Sequence, residues 1–271
     1  MSTTFTPAKP SDSTLRTVPL TPIPTSQVLG LSLSSLSYAD TLSRIEELVE
    51  RAQPAFFITA PLNYAMVCHK NPELEEVNRK AAFLVADGMP LVWVAKAKGK
   101  PLAERVAGSD LVPSMCEMAA RRGESVFLLG AAPGVAAKAA EKLKQTYPGL
   151  RIAGTACPKM SDLSPEQESE LIKTIRESGA VFLFVARGQP AGEIWIAENF
   201  QELGCISVQV GASIDFIANG VVRAPVWMQR TGTEWIYRLL QEPKRLLSRY
   251  LANGTFFLLQ APIDVLFRRT R

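Results

Sequence analysis

A chain of 271 residues with 47% hydrophobic and 21% charged content can bury a full α/β core, which excludes a disordered or fibrous protein. Cys68, Cys116, Cys157 and Cys205 are widely spaced with no CxxC pair, so reduced thiols are expected rather than a disulfide scaffold or metal role. The net charge of +4 is unevenly spread: Val221–Arg271 holds nine basic residues against three acidic ones, a surplus of +6, and the rest of the chain carries −2. That asymmetry asks for an anionic partner at one end: phosphates, a lipid surface or nucleic acid. The single histidine, His69, has no second imidazole beside it, which argues against a histidine-built metal site and a Ser-His-Asp triad.

In chain order, Met1–Ser26 is rich in Ser, Thr and Pro and reads as a disordered leader. It lacks the apolar stretch of a secretory signal, so the expected location is the cytoplasm. Val28–Leu33 reads as an edge strand, and Tyr38–Ala52 as a helix with Leu42, Ile45, Leu48 and Val49 at helical spacing. Ala55–Thr59 is a buried strand, and Asn71–Ala82 a helix with Pro72 in its first turn. After the strand candidate Phe83–Val85 and a turn at Asp87-Gly88, helices are expected over Leu91–Ala97 and from Ser109 or Asp110 to Arg122. Then come strand Val126–Leu129, loop Gly130–Gly134, an alanine-rich helix to Tyr147, strand Arg151–Thr155 and helix Pro165–Glu177. Strand Val181–Val185, helix Glu193–Leu203 and strand Ile206–Val210 complete the alternation. This pattern predicts an α/β fold: a Rossmann-like, mainly parallel sheet with helices on both faces, over residues 27–223. From Ala224 to Arg271 the texture changes to a basic, aromatic helical appendage.

The loops after strands are where ligands gather in such folds. Asp87 sits just past a strand end, where a carboxylate can accept a proton from a sugar hydroxyl, and Arg105 can hold the charge of a phosphate leaving group. The alternatives are that Asp87 only caps the helix near Pro90 and that Arg105 is a solvated loop residue. Gly130-Ala-Ala-Pro-Gly134 can offer backbone N–H groups to a diphosphate, or be an ordinary strand-to-helix turn. Glu193 suits the dipole of a first helical turn, and Asp215 can cap a helix or face the cleft. No Asp-x-Asp pair suggests a cation on a sugar nucleotide, so no metal or cofactor is expected, and arginines and helix ends would stabilise a diphosphate.

These loops, in this order, resemble the WecG/TagA/CpsF glycosyltransferase family over roughly Val28 to Phe257. The resemblance rests on Asn71-Pro72-Glu73-Leu74, Ala86-Asp87-Gly88, Glu104–Asp110, Val126–Gly134 and Gly211–Phe216. In the tail it continues through Arg223-Ala224-Pro225-x-Trp227, Glu234–Leu239 and Glu242–Leu246. It implies a bacterial enzyme of cell-surface polysaccharide or teichoic acid linkage synthesis. Such an enzyme transfers an N-acetylmannosamine-type sugar, with inversion, from a UDP-sugar donor to a GlcNAc acceptor linked to a polyprenyl (undecaprenyl) diphosphate. It also implies Asp87 as general base, Arg105 in the active site, and Thr59 ending the second strand of the family fold; Asn63, near but not at the family's Asn position, and the loop residues Gly130, Gly134, Glu193 and Asp215 are the candidate substrate-binding positions. The tail, with Arg230, Arg238, Arg245 and Arg249, is expected to reach the diphosphate and the inner face of the cytoplasmic membrane; nucleic acid is not an expected partner. Aromatics and arginines together on helices suit an anionic interface, and Phe256–Phe267 is too short to span a bilayer. Self-association is the other use its apolar surface could have.

The chain departs from the family pattern twice. Pro61 stands where an Asn usually follows the strand-ending Thr, and Gly192 where a Gln precedes Glu193. The alternative reading is therefore a catalytically weakened or non-catalytic, membrane-associated sugar-nucleotide-binding protein on the same scaffold. A dinucleotide-dependent oxidoreductase finds support only in the βα pattern and the Gly130 loop.

Overall fold

Side chains along the buried strands alternate between two cores. Phe56, Ile58, Leu129, Leu183 and Val185 face one, while Phe57, Val126, Leu128, Phe182 and Phe184 face the other. A strand with both faces buried reads as a continuous apolar run, which is how these segments look in the sequence. The computed structural model describes residues 22–219 and 224–267, so most of the leader lies outside the described residues, although Thr25 and Ser26 already belong to a strand.

The first elements are β1 (Thr25–Val28) and β2 (Leu31–Ser34), which pair with each other, antiparallel, apart from the main sheet. The single edge strand expected at Val28–Leu33 is therefore corrected to a hairpin. Leu29 and Gly30 both take positive φ (49° and 88°), the geometry of a tight two-residue turn. Helix α1 (Tyr38–Glu50) follows, started by a capping box between Ser37 and Asp40.

The main sheet uses β3 (Ala55–Ala60), β4 (Leu84–Ala86), β5 (Ser125–Gly130), β6 (Arg151–Ala156), β7 (Phe182–Ala186) and β8 (Ile206–Gln209). Their order is β4-β3-β8-β7-β5-β6, and every pairing is parallel. Between β3 and β4 lie α2 (Leu62–Lys70) and α3 (Leu74–Lys80). The first of these was not expected. Pro61 reads as a breaker, yet it stands in extended conformation at the N-cap, where its missing N–H costs nothing. The helix expected over Asn71–Ala82 shortens to α3.

Helices α4 (Met89–Ala97) and α5 (Gly108–Arg122) join β4 to β5, and α6 (Val135–Thr146) joins β5 to β6. Then α7 (Pro165–Glu177) and α8 (Ala191–Leu203) lead to and from β7. Helices α2, α3, α4, α7 and α8 cover one face of the sheet; α1, α5, α6 and α9 (Ser213–Asn219) cover the other. The cysteines are free, with Cys116 and Cys205 buried and Cys68 and Cys157 half-buried.

The chain leaves β3 toward the first face (α2) and β8 toward the second (α9). It likewise leaves β7 and β5 toward opposite faces, through α8 and α6. Adjacent strands with diverging loops leave crevices at their carboxyl ends.

The tail forms α10 (Val226–Thr231), α11 (Glu234–Gln241) and α12 (Pro243–Phe267). Leu246, Asn253, Phe256, Ala261 and Asp264 of α12 are buried against the body. There the Asp264 carboxylate meets Lys98 Nζ at 3.0 Å, both side chains being 5% exposed, and accepts the Leu29 N–H at 2.9 Å. Lys98 also donates to the Gln27 carbonyl at 2.8 Å. One buried ion pair thus ties α12 to α4 and to the β1–β2 turn.

Candidate active site

Gly88, at φ 153° and ψ 136°, lies in a region that essentially only glycine enters, and it turns the chain sharply from β4 into α4. That turn leaves Asp87 at the strand end, its N–H donated to the Ala60 carbonyl of β3 at 2.9 Å. The chain returns after α4, and the Val106 N–H donates to the Ala86 carbonyl at 2.9 Å, which brings Arg105 back beside Asp87. Asp87 does not cap α4. Its Oδ2 accepts the Gly108 N–H at 3.1 Å, so it caps α5, whose own N-cap Ala107 has no side chain to offer. The cap expected from Ser109 or Asp110 is replaced by a carboxylate from 21 residues upstream. Gly108 in turn lies against Thr59: a Cβ there would fall 2.8 Å from Thr59 Oγ1. Thr59, Asp87, Arg105 and the start of α5 are thereby gathered at one sheet edge.

The appendage completes the cluster. Glu234 of α11 accepts from Arg238 at 2.9 Å and reaches Arg105 at 3.9 Å; Arg105 also lies 3.7 Å from Asp110. The Arg238 guanidinium sits 5.0 Å over the Phe216 ring of α9. Between α10 and α11, Gly232 packs so tightly on α4 that a Cβ would fall 2.7 Å from Met89 Cβ. Burial raises the Asp87 carboxyl above its ordinary value; the Gly108 N–H and the charges of Arg105 and Arg238 act against that, and Glu234 adds to it. A carboxyl raised in this way is a better base near neutral pH than an exposed aspartate.

A second constellation lies between β3, β8 and β7. Asn63 Nδ2 donates to Gln189 Oε1 at 3.1 Å, and Gln189 Nε2 donates to Glu193 Oε1 at 2.8 Å. Glu193 is 1% exposed, and burial, only partly offset by the Gln189 bond, pushes its carboxyl up to about 7. Native protein therefore holds a proton that the unfolded chain has released, and stability falls as pH rises from about 4.5 to about 7. Above that window the buried charge costs about 3 kcal/mol. Glu193→Gln should reduce the difference between urea stabilities measured at pH 5 and pH 8; an unchanged difference would refute the assignment.

A cleft of about 210 Å³ opens at the β5–β7 crevice, lined by Leu129, Gly130, Met160, Arg187 and Trp195 among others. Gly130 is needed for β5 to approach β7: a Cβ would fall 2.4 Å from the Ala186 carbonyl oxygen. Gly134 forms the N-cap of α6, and Asp215 lies half-buried inside the first turn of α9. Arg249 is exposed on α12 beside the Tyr250 ring, and the side chains of Arg230 and Arg245 lie outside those described. The structure thus joins Thr59, Asp87, Arg105 and Arg238, and separately Asn63 and Glu193. Glu234, which links the two arginines, was legible only as an i,i+4 partner of Arg238.

The sequence profile of the glycosyl transferase WecG/TagA/CpsF family matches residues 26–271. The chain belongs to that family. An N-acetylglucosaminyldiphosphoundecaprenol N-acetyl-beta-D-mannosaminyltransferase of Bacillus spizizenii is 35% identical over 199 residues, covering 73% of this chain and 75% of that protein. The protein of the same name from Bacillus subtilis is 29% identical over 217 residues, covering 78% of this chain and 82% of its own length. This glycosyltransferase therefore has relatives named as N-acetylmannosaminyltransferases, and the Asp87–Arg105 cluster lies within the matched family region.

Proposed function

We propose that this glycosyltransferase moves an N-acetylmannosamine-type sugar from a UDP donor to GlcNAc on undecaprenyl diphosphate, inverting the anomeric carbon without a metal ion. The names of its relatives support the sugar and the acceptor. The observation that carries the reading is the Asp87 carboxyl, held at a strand end by the Gly108 N–H and within electrostatic reach of the Arg105 and Arg238 guanidinium groups. Asp87 takes the proton of the acceptor hydroxyl as its oxygen bonds to the anomeric carbon. The bond from that carbon to the diphosphate breaks on the opposite side, and the nucleoside diphosphate leaves with its charge met by Arg105 and Arg238. The β5–β7 cleft, with the backbone of the Gly130 loop at its rim, is where the nucleotide would lie.

The acceptor's lipid calls for a membrane surface, and α12 offers one. Opposite its buried face, Leu251, Leu258, Leu259, Leu266 and Phe267 are 61–77% exposed. Among the described residues no helix is long and apolar enough to cross a bilayer, and a helix with this outward face suits lying in the interface.

One assay tests both parts: purified protein, UDP-N-acetylmannosamine and a GlcNAc-diphosphate lipid in anionic vesicles, with and without EDTA, read by product mass and linkage. A single inverted sugar added, with EDTA without effect, is expected. Failure with every UDP-hexosamine would overturn the transfer, and loss of product in EDTA would overturn the metal-free step. Leu258→Ser/Leu259→Ser/Leu266→Ser should release the protein from vesicles yet keep transfer to a water-soluble acceptor; undiminished vesicle binding would remove the membrane role.

A further inference from the structure

Among the described residues, two polar atoms of the crevice between β3, β8 and β7 are buried without a hydrogen-bond partner: Gln209 Nε2, a donor, and Glu193 Oε2, an acceptor in the ionised carboxylate. Each is the open end of a chain of bonds. The Arg187 N–H donates to Gln209 Oε1 at 3.2 Å, which fixes which end of that amide is the oxygen and leaves Nε2 unused. Asn63 and Gln189 bond in series to Glu193 Oε1 and leave Oε2 unused. Buried groups of this kind are rarely left unpaired, and an open donor beside an open acceptor chain points to a ligand that supplies both.

Residue 192 explains how the donor reaches this place. A Cβ on Gly192 would fall 2.7 Å from Gln209 Cδ and Nε2, so the Gln209 amide from β8 lies in the space a side chain on α8 would fill. The corner lies along the same carboxyl edge of the sheet as Asp87. Parallel neighbours are about 4.8 Å apart, so β8 and β4, with only β3 between them, run about 10 Å apart, and because Gln209 stands two residues short of the Ala86 level the two strand ends are about 12 Å apart.

We propose that Gln209 and Glu193 recognise the acetamido group of the transferred sugar, its carbonyl accepting from Gln209 Nε2 and its N–H donating to Glu193 Oε2. This rests on the sugar-transfer reading above and assigns the specificity of that site to a residue of β8.

The test is titration calorimetry of the full chain with UDP, UDP-N-acetylmannosamine and UDP-mannose. Gln209→Met removes the donor. Gly192→Ala keeps the amide but pushes it aside, a change the flexible end of Gln209 can absorb without unfolding. Both variants should weaken UDP-N-acetylmannosamine by about 5- to 100-fold, with UDP and UDP-mannose held within about twofold. Equal weakening of UDP-mannose, weakening of UDP itself, or no change in any ligand would overturn the assignment. If wild-type protein binds UDP but gains nothing from the sugar, the transfer reading itself fails, a result separable from the variants' behaviour.

Discussion

Asp87→Asn is expected to lower transfer by about 10²–10⁴-fold, the usual loss when a positioned base is removed. The substitution is close to isosteric, and the asparagine oxygen can still accept the Gly108 N–H that Oδ2 accepts now, so the turn and the start of α5 should survive. The loss should therefore fall on turnover and not on folding or on the affinity for UDP. A second signature follows from burial. Because the Asp87 carboxyl is raised above its ordinary value, the acidic limb of kcat/KM should lie above that of an exposed aspartate and vanish in the variant. Turnover within about threefold of wild type, or an unchanged acidic limb, would assign the proton to another group.

The second large effect is on stability. Asp264→Leu leaves Lys98 buried without its counter-charge and the Leu29 N–H without its acceptor. Removing one partner of a buried pair costs about 3–5 kcal/mol, which for a chain of this size is a fall in Tm on the order of 10 °C. Lys98→Met combined with Asp264→Leu should recover most of that loss, because an apolar pair needs no desolvation. Thermal unfolding reads the stability, and hydrogen exchange in α12 reads whether the helix has come away from α4. If the single variant melts with wild type, the pair is not what secures α12.

Much of the fold was legible because the buried strands are short apolar runs between turn residues, and their alternation with helices dictates a parallel sheet. What escaped were features that local pattern cannot carry. Pro61 starts a helix when it stands at an N-cap, and Leu29-Gly30 bends a presumed strand into a hairpin through positive φ. In the site, Asp87 was legible because it follows a strand end, and Arg105 because it is the first arginine downstream; its return to that strand end depends on the Val106–Ala86 bond. Arg238 was expected at the diphosphate and its charge does act on Asp87, but Glu234 holding it toward Arg105 depends on how α11 packs. Gln209 was only one residue of the expected strand Ile206–Val210, and no local pattern could show that its amide lies over Gly192. Asp264 looked like an interruption in an apolar run; its partner, Lys98, lies far away in the sequence.

The bond from Gly108 to Asp87 carries one more consequence. With Oδ2 anchored by the main chain, the carboxylate cannot swing freely, and Oδ1 is the oxygen that carries no bond among the described residues. On the proposed mechanism an incoming alcohol would meet a lone pair of fixed direction, aimed by the backbone and not by a choice of rotamer. The trajectory of attack, and with it the handedness of the new linkage, would then be written into the first turn of α5.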